Sequence, residues 1–128
     1  MRNITWVSKH RNQVSDLVYG RIKVFEHKES GRSPSMTIML YPQAFEHLGW
    51  QILTHVFVGY DDNSFYIKAA ENGDPGADAI TRKHNTGRIA VTYDDDMPLA
   101  MGQEVNFGRD DILSDKMVVC FPIPRDKR

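Results

Sequence analysis

Apolar and polar positions alternate along much of this chain, and the period switches to that of a helix for one short stretch in its first half. Arg21 to His27 (RIKVFEH) sets Ile22 and Val24 on one side and Arg21, Lys23 and Phe25 on the other. That is the period of a half-buried strand. Thr37–Tyr41 is a mostly apolar run that stops at Pro42. Ala44-Phe45-Glu46-His47-Leu48 then places Phe45 and Leu48 three apart, on one face of a short helix. Pro42 suits the first turn of that helix and Gly49 suits its C-terminal stop. Alternation returns from Ile52 to Tyr60, with apolar members on both sides, as in a central strand. Asp61-Asp62-Asn63-Ser64 turns the chain into Phe65-Tyr66-Ile67 and completes a hairpin. Met36 to Ile67 is therefore a strand, a short helix and a hairpin.

The ends of this unit recur. Gly31-Arg32 aligns with Gly87-Arg88, the strand MTIMLY with RIAVTY, and Val56–Asp62 with Val105–Asp111. Both of the last two spell Val-x-apolar-Gly-x-Asp-Asp, followed by Phe65-Tyr66-Ile67 in one case and Met117–Phe121 in the other. A strand–helix–hairpin unit leaves an open edge and an uncovered apolar face, and a second copy covers both. The expected fold is mainly β: two related strand–short helix–hairpin units, 21–68 and 82–121, forming one compact domain over residues 1–128. Residues 69–81, with the turn formers Asn72-Gly73-Asp74-Pro75-Gly76, read as the connector. Ala77–Arg82 reads as either a helical turn or an extended linker. Ile4–Val7 reads as a short strand or an arm, Lys28–Ser35 as a loop, and the segment after Pro122 as an extended tail.

Length bounds this picture to one domain or two small repeats sharing a core, since the chain has 128 residues. Net charge is −1, which excludes a globally basic nucleic-acid binder. The distribution is uneven. Arg2, Lys9, Arg11, Arg21, Lys23, Lys28 and Arg32 face only Asp16, Glu26 and Glu29 in the first 32 residues. Residues 33–80 carry only Lys68 against Glu46, Asp61, Asp62, Glu71, Asp74 and Asp78. A basic third beside an acidic middle gives a near-neutral protein one positive face. No membrane span and no secretory leader are expected, and the single cysteine, Cys120, fits a reducing, cytoplasmic compartment.

Catalytic and metal signatures are missing from the pattern. His10, His27, His47, His55 and His84 lack zinc-type spacing. The acidic groups Asp61-Asp62, Asp94-Asp95-Asp96 and Asp110-Asp111 lack an EF-hand arrangement and read as solvated turns. Cys120 sits in an apolar run and reads as a small core residue. No phosphate loop or dinucleotide glycine pattern is present. The expectation is a protein that is not an enzyme and uses no cofactor or metal.

Lys28, Gly31-Arg32, Met36 to Pro42, Phe45, Leu48-Gly49 and Val56 to Ile67 together give an arrangement that resembles the swapped-hairpin transcription factors of the AbrB, MazE and MraZ type. The tandem units are most similar to MraZ. The resemblance implies a small intracellular regulator, oligomeric through its strand edges, that binds double-stranded DNA. It implies contacts from Arg21, Lys23, Lys28 and Arg32 and, in the second unit, from Arg82, Lys83 and Arg88. Two other readings stay open. Trp6, Tyr19 and Phe25 beside Arg21 and Lys23 suit stacking of single-stranded nucleic acid. The near-neutral charge and acidic middle suit a protein–protein interaction module, such as a phage-type inhibitor or assembly component.

Overall fold

The computed structural model describes residues 18–26, 31, 33–71, 73–115 and 118–128. Among them the protein is mainly β, built as two five-stranded antiparallel sheets, neither closed. The first sheet runs in the order β6 (Thr81–Lys83), β7 (Thr86–Thr92), β2 (Ser35–Leu40), β1 (Gly20–Phe25), β8 (Glu104–Phe107). The second runs β5 (Asp78–Ala79), β3 (His55–Tyr60), β4 (Ser64–Ala70), β10 (Val118–Pro122), β9 (Leu113–Asp115). One α-helix, α1 (Pro42–Leu48), lies among the described residues. No helix there is long and apolar enough to cross a membrane.

Alternation decides which side chains meet. Ile22 and Val24 of β1, Met36, Ile38 and Leu40 of β2, Ile89 of β7 and Val105 and Phe107 of β8 turn inward. Val56, Phe65, Ile67, Val119 and Phe121 answer from the second sheet, in one core. Phe107 and Phe121 meet edge-on with ring centroids 5.1 Å apart, joining the two sheets directly. Each such side chain contributes roughly 1.5–3 kcal/mol when taken fully from water.

The chain changes sheets at both edges. At one, buried Ile80 joins β5 to β6, and its N–H donates to the Thr54 carbonyl at 2.8 Å. At the other, a 3₁₀ turn at Arg109–Asp111 lies between β8 and β9. Helix α1 sits beside the first of these corners. Pro42 opens it and Gly49, at φ 70°, closes it in the left-handed conformation. Its Phe45 ring packs over Gly87, where a Cβ would stand 2.3 Å from Phe45 Cζ and 2.9 Å from Ile80 Cγ2. Gly87 of the second Gly-Arg pair is thus a packing residue.

Several sequence expectations are corrected. Residues 52–54 precede β3 rather than begin it, and Ile52 is 93% exposed. Of the two readings for Ala77–Arg82, the extended one holds, and the 69–81 stretch also contributes the end of β4, the whole of β5 and the first residue of β6. The segment after Pro122 is not an open tail. A 3₁₀ turn at Arg125–Lys127 folds it back; Arg128 donates through Nη1 to Asn63 Oδ1 (2.6 Å), Ile123 N–H donates to the Asn63 carbonyl (2.9 Å), and Ala100 N–H donates to the Lys127 carbonyl (2.9 Å). Cys120 is half-buried on the outer face of the second sheet, because it has the opposite parity to core residues Val119 and Phe121. The expectations for Ile4–Val7 and for half of the Lys28–Ser35 loop lie outside the described residues.

A Gly87→Ala substitution is expected to lower unfolding free energy by roughly 1–3 kcal/mol, because Phe45 must leave its rotamer or the strand must shift. Gly59→Ala, where a Cβ meets nothing within 4 Å, should stay within about 0.5 kcal/mol of the parent in urea unfolding.

Candidate nucleic-acid interface on the outer face of the first sheet

The residues of β1 that do not enter the core, Arg21, Lys23 and Phe25, point outward by strand parity. The cross-strand register extends them into rows. Asn106, Arg21, Met39, Arg88 and Thr81 form one row across all five strands. Glu104, Lys23, Thr37 and Ala90 form the next, and Phe25, Ser35 and Thr92 a third. Arg21 and Arg88 stand two strands apart, about 10 Å, and Lys23 lies about 7 Å along the strand from Arg21.

Arg21 is half-buried, and its Nε donates to Asn106 Oδ1 at 2.8 Å. That bond fixes the guanidinium plane and leaves its Nη donors for an acceptor. Arg88 is exposed and has no hydrogen-bond or ion-pair partner among the described residues. Lys23 Nζ lies 5.0 Å from the Phe25 ring centroid, which lays the lysine along the sheet. Lys83 is exposed at the β6–β7 turn. That turn has two residues, His84 at φ 54° and Asn85 at φ 64°, in the left-handed conformation of tight hairpins. Ser35, Thr86 and Thr92 stand on the same side of the sheet as the cations, whereas Thr37, in the Lys23 row, is buried.

The structure divides the expected contact residues. Arg21, Lys23 and Arg88 share one face, with Lys83 at its corner. Lys28 and Arg32 lie outside the described residues. Arg82 does something else. Opposite Gly87 in the ladder, it points to the inner side, where its guanidinium lies 4.0 Å from the Phe45 ring centroid. Its Nη2 donates to the carbonyls of Trp50 and Leu53. It holds the chain leaving α1 against the sheet corner. Asn106 was missed as an orienting group, although its parity opposite to Val105 and Phe107 places it outside.

The acidic groups are built into turns. Asp61 Oδ1 accepts the Asn63 and Ser64 N–H groups at 2.9 Å, Asp94 Oδ1 accepts Asp96 N–H at 3.0 Å, and Asp111 Oδ2 accepts Gly108 N–H at 2.9 Å. Asp94 also accepts from Tyr60 Oη of the second sheet at 3.3 Å. Among the described residues no three His, Cys, Asp or Glu side chains converge as metal ligands. On the second sheet's outer face, Tyr66 Oη donates to Asp61 Oδ2. That hydrogen bond pushes the Tyr66 phenol up to about 12 from 10.0. The same bond, with the Asn63 and Ser64 amides, holds Asp61 below the usual carboxylate range.

Arg82→Ala is expected to lower unfolding free energy by roughly 1–2 kcal/mol, and Arg82→Lys to recover little of it, since a single ammonium cannot serve two carbonyls while stacking on Phe45. Tyr66 should titrate near 12 in ultraviolet or NMR titration. Tyr66→Phe should bring the Asp61 carboxyl back up toward its ordinary range. The sign of the stability change follows from the two directions. The Tyr66 contribution is present below about pH 10, the free tyrosine value, and fades as pH rises toward 12. The Asp61 contribution is present above the free carboxylate range and fades as pH falls through its lowered value.

No protein-family model, curated protein or solved structure matches the chain.

Proposed function

We propose that this protein binds double-stranded DNA through the outer face of its first sheet, as a small regulator. The observation that supports this reading is the meeting of half-buried Arg21 and Lys23 with exposed Arg88, cations more than sixty positions apart in sequence, in adjacent rows of one outer face. A guanidinium oriented by Asn106, a second guanidinium with no partner among the described residues, and the neighbouring hydroxyls of Ser35, Thr86 and Thr92 suit phosphate oxygens. Sheet surfaces of this kind read a duplex by shape and charge before sequence. Lys83 extends the face at the β6–β7 turn, and Lys28 and Arg32 of the preceding loop belong to the same reading.

The two-unit reading is part of the proposal. The strands that it equates meet as antiparallel neighbours in each sheet, β2 with β7 and β4 with β10. A pseudo-two-fold axis between the units would place them so. It also pairs β1 with β6 and β3 with β9, which hold matching places in their sheets. The Val56–Asp62 and Val105–Asp111 match then falls outside the duplication, since β3 and β8 belong to different sheets.

A labelled duplex of mixed sequence, titrated by fluorescence anisotropy at low salt, tests the proposal. The parent should bind with affinity that falls steeply as salt rises. Arg21→Ala with Arg88→Ala should weaken binding to all duplexes alike and flatten the log–log salt slope by about 2. Unfolding free energy should stay within roughly 0.5 kcal/mol. No duplex binding by the parent at about 50 mM salt, or unchanged affinity in the double variant, would sink the reading.

A further inference from the structure

The outer face of the second sheet is apolar where that of the first is cationic. Parity makes it so. Val56, Phe65, Ile67, Val119 and Phe121 enter the core, so Phe57, Tyr66, Lys68, Val118 and Cys120 turn away from it. The ladders set them in rows. Gly59, Tyr66, Cys120 and Leu113 form one row across four strands, and Phe57, Lys68 and Val118 lie in the next. His55, Ala70 and Ala79 continue the face at one end. Leu113 is 55% exposed and Val118 38% exposed. A contiguous apolar face of this kind on a folded domain marks a surface that something covers.

Charge on this face is split about the Tyr66 row. On one side stands exposed Lys68, its Nζ 5.2 Å from the Phe57 ring centroid. On the other side Tyr66 Oη donates to Asp61 Oδ2, which holds that carboxylate at the face, and exposed Asp62 adjoins it in the turn. The cation and the carboxylates each lie about 7 Å from the row along the strand direction.

A face divided in this way is complementary to itself. A two-fold axis along the Gly59–Tyr66–Cys120–Leu113 row turns it onto a second copy with the strands antiparallel, as in aligned sheet packing. Each member of the row then meets its own counterpart, Cys120 opposite Cys120. Lys68 of each copy comes over the Asp61-Asp62 turn of the other. The size also fits. Strands about 4.8 Å apart, with residues about 3.4 Å apart along them, give β3, β4, β10 and β9 a face of roughly 19 by 20 Å. Two copies together bury on the order of 1,000 Å² once side-chain relief is counted, the size at which specific pairing begins.

We infer that this chain forms a two-fold dimer through the outer face of its second sheet. The apolar rows supply the contact area, and the Lys68 and Asp61-Asp62 ends fix the register. The inference does not depend on DNA binding, which uses the opposite face of the molecule.

The test uses the whole chain. Sedimentation equilibrium should show a monomer–dimer equilibrium below about 100 µM. A bis-maleimide of about 8–10 Å, matched to the spacing of stacked sheets, should join two copies through Cys120, the single cysteine of the chain. Lys68→Glu and Asp62→Lys should each weaken self-association by about three- to tenfold, and mixing the two variants should restore it, because only the mixed dimer pairs opposite charges at both ends. Leu113→Lys, at an exposed position, should weaken it by about tenfold or more. Three results would overturn the inference: a monomer at about 100 µM, which leaves the face to another part of this chain or to a different protein; a dimer that none of these substitutions weakens; or a dimer with neither a Cys120 cross-link nor recovery on mixing.

Discussion

The packing of Phe45 against Gly87, with the Arg82 guanidinium 4.0 Å from its ring centroid, is the contact on which the architecture turns. It lies where the chain leaves the second sheet through Ile80 and enters the first. Three separate segments meet there: α1, the β5–β6 corner and the start of β7. A ring can approach the strand this closely only because Gly87 has no Cβ. Arg82 then ties the carbonyls of Trp50 and Leu53, so the exit from α1 and the entry to β3 are fixed by the same residue that edges the first sheet. The Ile80 N–H bond to the Thr54 carbonyl ties the same corner through the backbone.

Much of this was legible in the sequence. The alternation in RIKVFEH gave both the inward set, Ile22 and Val24, and the outward cations, because strand parity is local. Pro42 and Gly49 marked the helix for equally local reasons, and α1 spans Pro42–Leu48 as expected. The roles of Arg82 and Arg88 were not separable by sequence. They sit on opposite faces only because Arg82 pairs with Gly87 in the β6–β7 ladder, and that pairing needs the left-handed His84-Asn85 turn. Asn85 was a turn signal in plain view, but a histidine beside it hid the two-residue hairpin. Cys120 was misplaced because VVCFP is apolar at nearly every position, so hydrophobicity alone cannot assign a face.

Charge on this molecule is sorted by local geometry rather than by segment. The acidic middle of the chain spends its carboxylates on turns, where Asp61 closes the β3–β4 hairpin. Asp94 and Asp111 do the same elsewhere. Cations from the two halves instead share the outer face of the first sheet. A net charge of −1 therefore coexists with a positive surface.

The central pairings of the two sheets also set how the chain reaches this state. Ile38 lies opposite Ile89, and Ile67 opposite Val119, partners about fifty residues apart. The hairpins β1–β2, β3–β4 and β6–β7 join strands that are neighbours in sequence, so closing them costs the least loop entropy. Joining them at β2–β7 and β4–β10 requires the chain to surrender the entropy of much longer loops before those contacts return anything. The molecule is thus built to fold on the slow, millisecond-to-second side of the range for its size, with apolar hairpin faces exposed until the halves meet.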